Sequence, residues 1–191
     1  MGILITLDGV DGTGKSTVAQ LLAVDGGYHY YKTPSGRFEQ LRSEIDGHAT
    51  PLERYCFYRL ATQLDSTQLR EIVKSSSVVC DRYIASTLAY HLVMDLRILG
   101  IHNNEQIVIP DFAFLLLVES RERDRRLNAR AGITSDGILE HNSGFLDQVQ
   151  ETFRSLNALG YLPFALIPVD TTGKTPSEVT AEIQDAINNR R

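Results

Sequence analysis

Eight residues close to the N-terminus constrain this chain more than any other feature it carries. Gly9-Val10-Asp11-Gly12-Thr13-Gly14-Lys15-Ser16 is a complete G-x-x-x-x-G-K-[ST] loop. It follows the apolar run Ile3 to Leu7 and precedes Thr17, Val18, Leu21 and Leu22, whose spacing starts a helix. In that strand-turn-helix setting the glycines let successive backbone N–H groups converge on phosphate oxygens, and the helix N-terminus adds partial positive charge. Gly9, Gly12, Thr13, Gly14, Lys15, Ser16 and Thr17 are therefore the candidate ligands of a nucleoside triphosphate. Lys15 reaches the β- and γ-phosphates and Ser16 ligates magnesium, so a nucleoside triphosphate with Mg2+ is the implied ligand.

The rest of the chain has the rhythm such a loop requires. Predicted strands at Ile3 to Leu7, Tyr28 to Tyr31, Val78 to Asp81, Phe112 to Val118 and Phe164 to Val169 alternate with longer segments at helical spacing. Several strands are continuous apolar runs, as buried parallel strands are. The fold class is α/β, a parallel sheet with helices on both faces, and 191 residues without a linker or repeat form one domain. Thr50-Pro51-Leu52-Glu53 and Thr175-Pro176-Ser177-Glu178 each supply an N-cap hydroxyl, a proline at the first helical position and a glutamate to close a capping box, which predicts two helix starts. Phe145, Val149, Phe153 and Leu156, and then Val179, Ile183 and Ile187, line one face of two late amphipathic helices.

Composition excludes several partners. Nineteen Lys+Arg against 24 Asp+Glu leave a net charge of -5, which does not provide a broad basic surface for nucleic acid or anionic lipid. Cys56 and Cys80 are too few for a disulfide framework and sit in apolar runs, so both are expected as buried free thiols of a cytoplasmic protein. No apolar run approaches bilayer length, and the N-terminus lacks the order of a signal peptide.

The run Val78-Val79-Cys80-Asp81 ends an apolar strand in a carboxylate, where folds of this kind hold magnesium through its waters. Arg82 follows at once. With a helix beginning there, Arg82, Ser86 and Tyr90 share one face, and Ile84, Leu88, Leu92 and Leu96 form the opposite, aliphatic face.

Together with the phosphate loop, Thr33-Pro34-Ser35-Gly36, Asp81-Arg82-Tyr83 with Ser86 and Ala89-Tyr90, Pro110-Asp111 and the Arg126 to Arg130 segment make nearly the whole chain resemble the thymidylate kinase family. That resemblance implies a three-layer P-loop NTPase fold with a five-stranded parallel sheet, a homodimer, and ATP- and magnesium-dependent phosphorylation of a nucleoside monophosphate, dTMP in the first instance. It also implies that Asp11 faces the acceptor sugar or the metal, that Arg82 bridges donor and acceptor phosphates, and that Tyr90 packs near the sugar 2′ position. A planar guanidinium suits the Arg82 role because it bonds two phosphate oxygens at once. The acceptor phosphate is largely ionised at neutral pH and needs no strong base.

Arg121, Arg123, Arg125, Arg126 and Arg130 crowd the segment after the fourth strand. Arg123, Arg126 and Arg130 fit one cationic stripe, a solvated helix face with Glu122 and Asp124 being the alternative; Arg126 and Arg130 match the family's lid entry. A mobile lid is expected over about 126–144. The chain also departs from the family. Where an arginine reads thymine, the register gives Ala61 or Thr62, leaving Arg59 as the nearest candidate, with Phe57 or Tyr58 as a stacking surface. The Pro34 loop lacks an expected cation, for which Lys32 is a substitute, no Lys or Arg lies between Ala131 and Gly144, and His91 stands where glutamine is common. These changes point to a related monophosphate acceptor or a specialised member. A kinase for another nucleotide or a nucleoside, and a nucleotide-binding regulatory module of the same fold, are the alternatives.

Overall fold

β1 (Leu4–Gly9), β3 (Val78–Asp81) and β4 (Phe112–Leu117) are almost wholly buried, which only a sheet covered on both faces allows. The computed structural model describes residues 2–130 and 142–189. With β2 (His29–Lys32) and β5 (Ile167–Asp170) these strands form one sheet in the order β2-β3-β1-β4-β5, every pairing parallel. The helices are α1 (Lys15–Gly26), α2 (Glu39–His48), α3 (Pro51–Ile72), α4 (Ile84–Met94), α5 (Ser120–Arg130), α6 (Ser143–Leu159) and α7 (Pro176–Asn188). Short 3-10 segments lie at Gly36–Phe38 and Leu96–Gly100.

Alternate residues of β1 divide the core in two. Ile5 and Leu7 pack with Val18 and Leu22 of α1 and with Val179 and Ile183 of α7. On the other face Leu4 joins Tyr55 and Leu69 of α3, Ile84 and Leu88 of α4, and Val149 and Phe153 of α6. This is the expected three-layer architecture. Both capping boxes form: Thr50 with Glu53 opens α3, and Thr175 with Glu178 opens α7.

Some boundaries differ from the sequence expectation for local reasons. β5 begins at Ile167 rather than Phe164 because the Asn157 side chain occupies the backbone of Leu166, accepting from its N–H at 2.9 Å and donating to its carbonyl at 3.1 Å. Arg82 is not the first residue of a helix: it adopts φ 67, in the left-handed region, and α4 starts two residues later. Leu96 is likewise outside α4 and 73% exposed, while Ile84, Leu88 and Leu92 are buried as expected. Cys80 is buried, but Cys56 is exposed on α3 because its position falls on the helix's outer face. Most of the expected lid, 131–141, lies outside the described residues.

The register aligns Leu7 with Asp81, so the C-terminal ends of β1 and β3 lie side by side. The loop leaving β1 and the turn leaving β3 therefore share one edge of the sheet, where α/β folds bind their ligands.

Candidate active site

The phosphate loop is shaped by close backbone approach. Gly9 has φ 143, and a Cβ there would lie 2.4 Å from the Leu116 carbonyl oxygen; Gly12 has φ 86, and a Cβ would meet Arg123 Cγ at 2.8 Å. Neither position admits a side chain without strain. Thr13 Oγ1 donates to the Val10 carbonyl at 2.9 Å, and Lys15 Nζ donates to the same oxygen at 2.7 Å. The ammonium is thus folded over its own loop. Burial, reinforced by the nearby Arg82 charge, lowers the Lys15 pKa to about 8.

Ser16, the first-turn hydroxyl of α1, donates to Asp81 Oδ2 at 2.5 Å. Tyr30 also donates to that oxygen, at 3.3 Å. The second carboxylate oxygen, Oδ1, is buried without a hydrogen-bond partner among the described residues. A hydroxyl beside a buried carboxylate with an unused lone pair is a donor set suited to a hard divalent cation and its waters. Ser16 and Asp81 thus fit magnesium.

Arg82, on the turn after β3, meets the phosphate loop at Asp11. Its NH2 donates to Asp11 Oδ1, and its guanidinium lies 5.4 Å from the centroid of the Tyr90 ring. Tyr90 OH donates to Asp11 Oδ2 at 2.6 Å and accepts from the Asp11 N–H at 3.1 Å. Burial alone would raise the Asp11 pKa, but Arg82 and then Lys15 outweigh it and hold the carboxyl at about 2. Asp11 is therefore a fixed anion and a poor base. Thr33, just before Pro34, donates its N–H to the Asp81 carbonyl at 3.1 Å and its hydroxyl to the Arg82 carbonyl at 2.9 Å. The Pro34 loop is thereby fastened to the Arg82 turn. That loop is also held by Asp65, fully buried on α3, which accepts from Ser35 N–H at 2.8 Å and Arg37 NH2 at 2.9 Å.

Beside the loop, a cleft of about 230 Å³ is lined by Gly14, Thr17, Val18, Arg126, Thr171 and Lys174 among others. Arg126 is fixed at its wall by bonds to Glu122 at 3.0 Å and to the Thr171 carbonyl at 2.8 Å. Arg123 and Arg126 do not share one stripe. Arg123 is fully buried, bonding Asp147 at 2.7 Å, Asp124 at 2.9 Å and Ser143 Oγ at 2.6 Å, while Arg125 is exposed and paired with Glu122. The i, i+3 spacing placed Arg123 beside Arg126 but could not show that α6 would cover it. Arg130 ends α5.

The family model for thymidylate kinase matches residues 7–167. The chain belongs to the thymidylate kinase family. It is 30% identical over 193 residues to a probable thymidylate kinase of Methanocaldococcus jannaschii, covering 98% of this chain and 96% of that protein. A probable thymidylate kinase of Pyrococcus horikoshii is 32% identical, covering 83% and 89%. Among solved structures, thymidylate kinase from Candida albicans superposes with a TM-score of 0.77 at 21% identity, covering 99% of this chain and 92% of that one. Deoxyadenosine kinase from M. mycoides reaches 0.69 at 17%, covering 98% and 100%, so the fold itself is shared beyond thymidylate kinases.

Several residues carried over from the thymidylate kinase pattern have other partners. Ser86 does not face the cleft: its hydroxyl and N–H both donate to the buried Asp8 carboxylate, at 2.6 and 2.9 Å. Arg59 is buried and clamps the 103–105 loop, donating to the Asn103 carbonyl at 3.0 Å, Asn103 Oδ1 at 2.9 Å and the Glu105 carbonyl at 2.8 Å. Its Nε and NH2 donors are thus taken by a loop 44 residues away in sequence, and NH1 donates to Gln63 at 3.2 Å. Phe57 packs edge-on to Phe38 and Tyr58. Thr62 pairs with Thr87 of α4 at 3.2 Å, and Tyr58 lies against the buried His91 ring. Lys32 is exposed at the end of the β2 edge strand. Two functional candidates escaped the sequence reading. Arg42 of α2, pinned through Nε to Tyr58 OH at 2.9 Å and Asp46 at 3.3 Å, acts electrostatically on Asp11. Asp8 had one visible signal, an acid closing an apolar strand beside a glycine turn.

Proposed function

We propose that this chain transfers the γ-phosphoryl group of ATP to a deoxynucleoside monophosphate, dTMP in the first instance, with Mg2+. The observation that carries the reading is that Asp11 Oδ1 lies beside both Arg82 and Lys15, which brings the two cations together at the phosphate loop. Two anions repel, and a guanidinium that donates to both holds them in line; in phosphoryl transfer that alignment supplies most of the catalysis. Gly9 to Thr17 bind the donor phosphates, Arg126 flanks the donor cleft with Arg130 following it, and Tyr90 with Asp11 meets the acceptor sugar. Ser16 and Asp81 would hold the magnesium, whose charge offsets that of the donor phosphates. Asp11, held at about 2, supports an acceptor that arrives already ionised over a nucleoside hydroxyl that needs a base.

The reading extends to one kinase domain over 1–191, with a lid at about 126–144, acting in the cytoplasm. Among the described residues no helix is long and apolar enough to cross a membrane. It also includes a homodimer, supported by Leu60 and Leu64, 55% and 43% exposed on the outer face of α3 one and two turns beyond Cys56.

The deciding experiment measures ADP release with Mg–ATP across a panel of nucleosides and monophosphates. Turnover with dTMP and none with thymidine is expected. Turnover of nucleosides alone overturns the acceptor, and tight ATP binding without turnover of any acceptor favours a regulatory module.

A further inference from the structure

Arg82 is a non-glycine residue at φ 67, a conformation that costs energy and persists only where neighbours enforce it. Its backbone is held on both sides. The Arg82 N–H donates to the Leu7 carbonyl at 2.9 Å, and the Arg82 carbonyl accepts from Thr33 Oγ1 at 2.9 Å and Cys80 Sγ at 3.1 Å. The next N–H, that of Tyr83, donates to Asp8 Oδ1 at 3.0 Å. Tyr83 is the N-cap of α4 and makes no side-chain cap bond of its own. Asp8 supplies the missing cap from another element, since the same oxygen accepts from the Ser86 N–H, one of the unpaired donors of the first turn, and from the Ser86 hydroxyl.

Asp8 is also the last residue before the phosphate loop, paired in β1 with Leu115 of β4. One carboxylate therefore joins the donor loop to the turn that carries Arg82. It is fully buried, and among the described residues its Oδ2 has no partner, so neither solvation nor a salt bridge accounts for an acid at this point. Burial raises its pKa, and the bonds from Ser86 and Tyr83 oppose that rise.

We infer that Asp8 is a positioning residue for phosphoryl transfer: by capping α4 and pinning the Tyr83 N–H, it holds Arg82 in its left-handed conformation and fixes the guanidinium relative to the phosphate loop. The inference rests on the Arg82 role proposed above. Asp8 touches neither substrate; it acts through Arg82.

A double-mutant cycle with Arg82→Ala tests it. Asp8→Ala lowers kcat by roughly 10²-fold, the cost of a small misplacement, with the KM for ATP within about threefold of the parent. Asp8→Asn, which keeps an acceptor at Oδ1, recovers most of that loss. In the Arg82→Ala background Asp8→Ala has little further effect, because the group it positions is gone. Full additivity of the two losses, or an unchanged kcat in Asp8→Ala, overturns the inference. Should Asp8→Ala not fold by circular dichroism, Asp8→Ser is carried through the same cycle and read in the same way. If the parent chain turns over no acceptor, the failure belongs to the proposed function. The 15N resonance of Arg82 Nε then decides for Asp8: protection from exchange that is lost in the Asp8 variant supports the inference, and protection that survives overturns it.

Discussion

Arg82 and Asp11, 71 residues apart in sequence, form an ion pair that joins the turn after β3 to the phosphate loop, with Tyr90 bonded to the carboxylate. Before an acceptor arrives, Asp11 supplies the anion that keeps the half-buried guanidinium charged and oriented. Burial opposes that charge, but Asp11, Tyr90 and Asp81 outweigh it.

Arg82→Ala is expected to lower kcat by about 10³-fold or more, in the range lost with an arginine that stabilises a transferring phosphoryl group. The KM for ATP should change far less, since the guanidinium contributes most where charge is shared between the two phosphates. Arg82→Lys should restore little of kcat because an ammonium lacks the planar fork. Steady-state kinetics check both variants, and equal losses in kcat and ATP affinity would contradict the bridging role.

Lys15 gives a pH signature with a definite sign. With its pKa lowered to about 8 in the unliganded protein, the side chain loses its proton as pH rises through that value. Triphosphate favours the charged form, so ATP binding above pH 8 takes up a proton and weakens as pH rises further, while below that value the lysine is already charged. Calorimetry of ATP binding at pH 9 in two buffers of different ionisation enthalpy should show the uptake, and the same pair of buffers at pH 7 should agree. No buffer dependence at pH 9 would show that Lys15 retains its proton in the free protein.

Arg59→Ala should act on stability and not on base choice. It removes three bonds that tie the exposed 103–105 loop to α3, a loss of about 1–3 kcal/mol. Thermal unfolding should shift downward while the ranking of acceptor monophosphates is retained. A changed ranking at unchanged stability would put Arg59 in the acceptor site after all.

Much of the scaffold was legible because its signals are local. The glycine loop, the two Thr-Pro-x-Glu boxes and the apolar strands each follow from a few adjacent residues, and the structure forms them at nearly the expected places. Charged side chains were not legible in the same way. Arg123 and Arg126 look alike in sequence, yet one is sealed beneath α6 and the other lines the cleft. Ser86 and Tyr90 share a helix and one turn, yet Ser86 turns to Asp8 and Tyr90 to Asp11.

The sequence by itself determined the parallel α/β framework and the phosphate loop, since strand burial, capping and glycine turns are settled over a few residues. Only the tertiary structure decided which acid meets which base. Asp8, Asp11, Asp65 and Asp81 are all buried or half-buried carboxylates, and what separates a helix cap from the Arg82 ion pair, a loop anchor or the partner of the Ser16 hydroxyl is the group that chain packing brings within 3 Å. Those partners come from elements 28 or more residues away, beyond the reach of any local pattern.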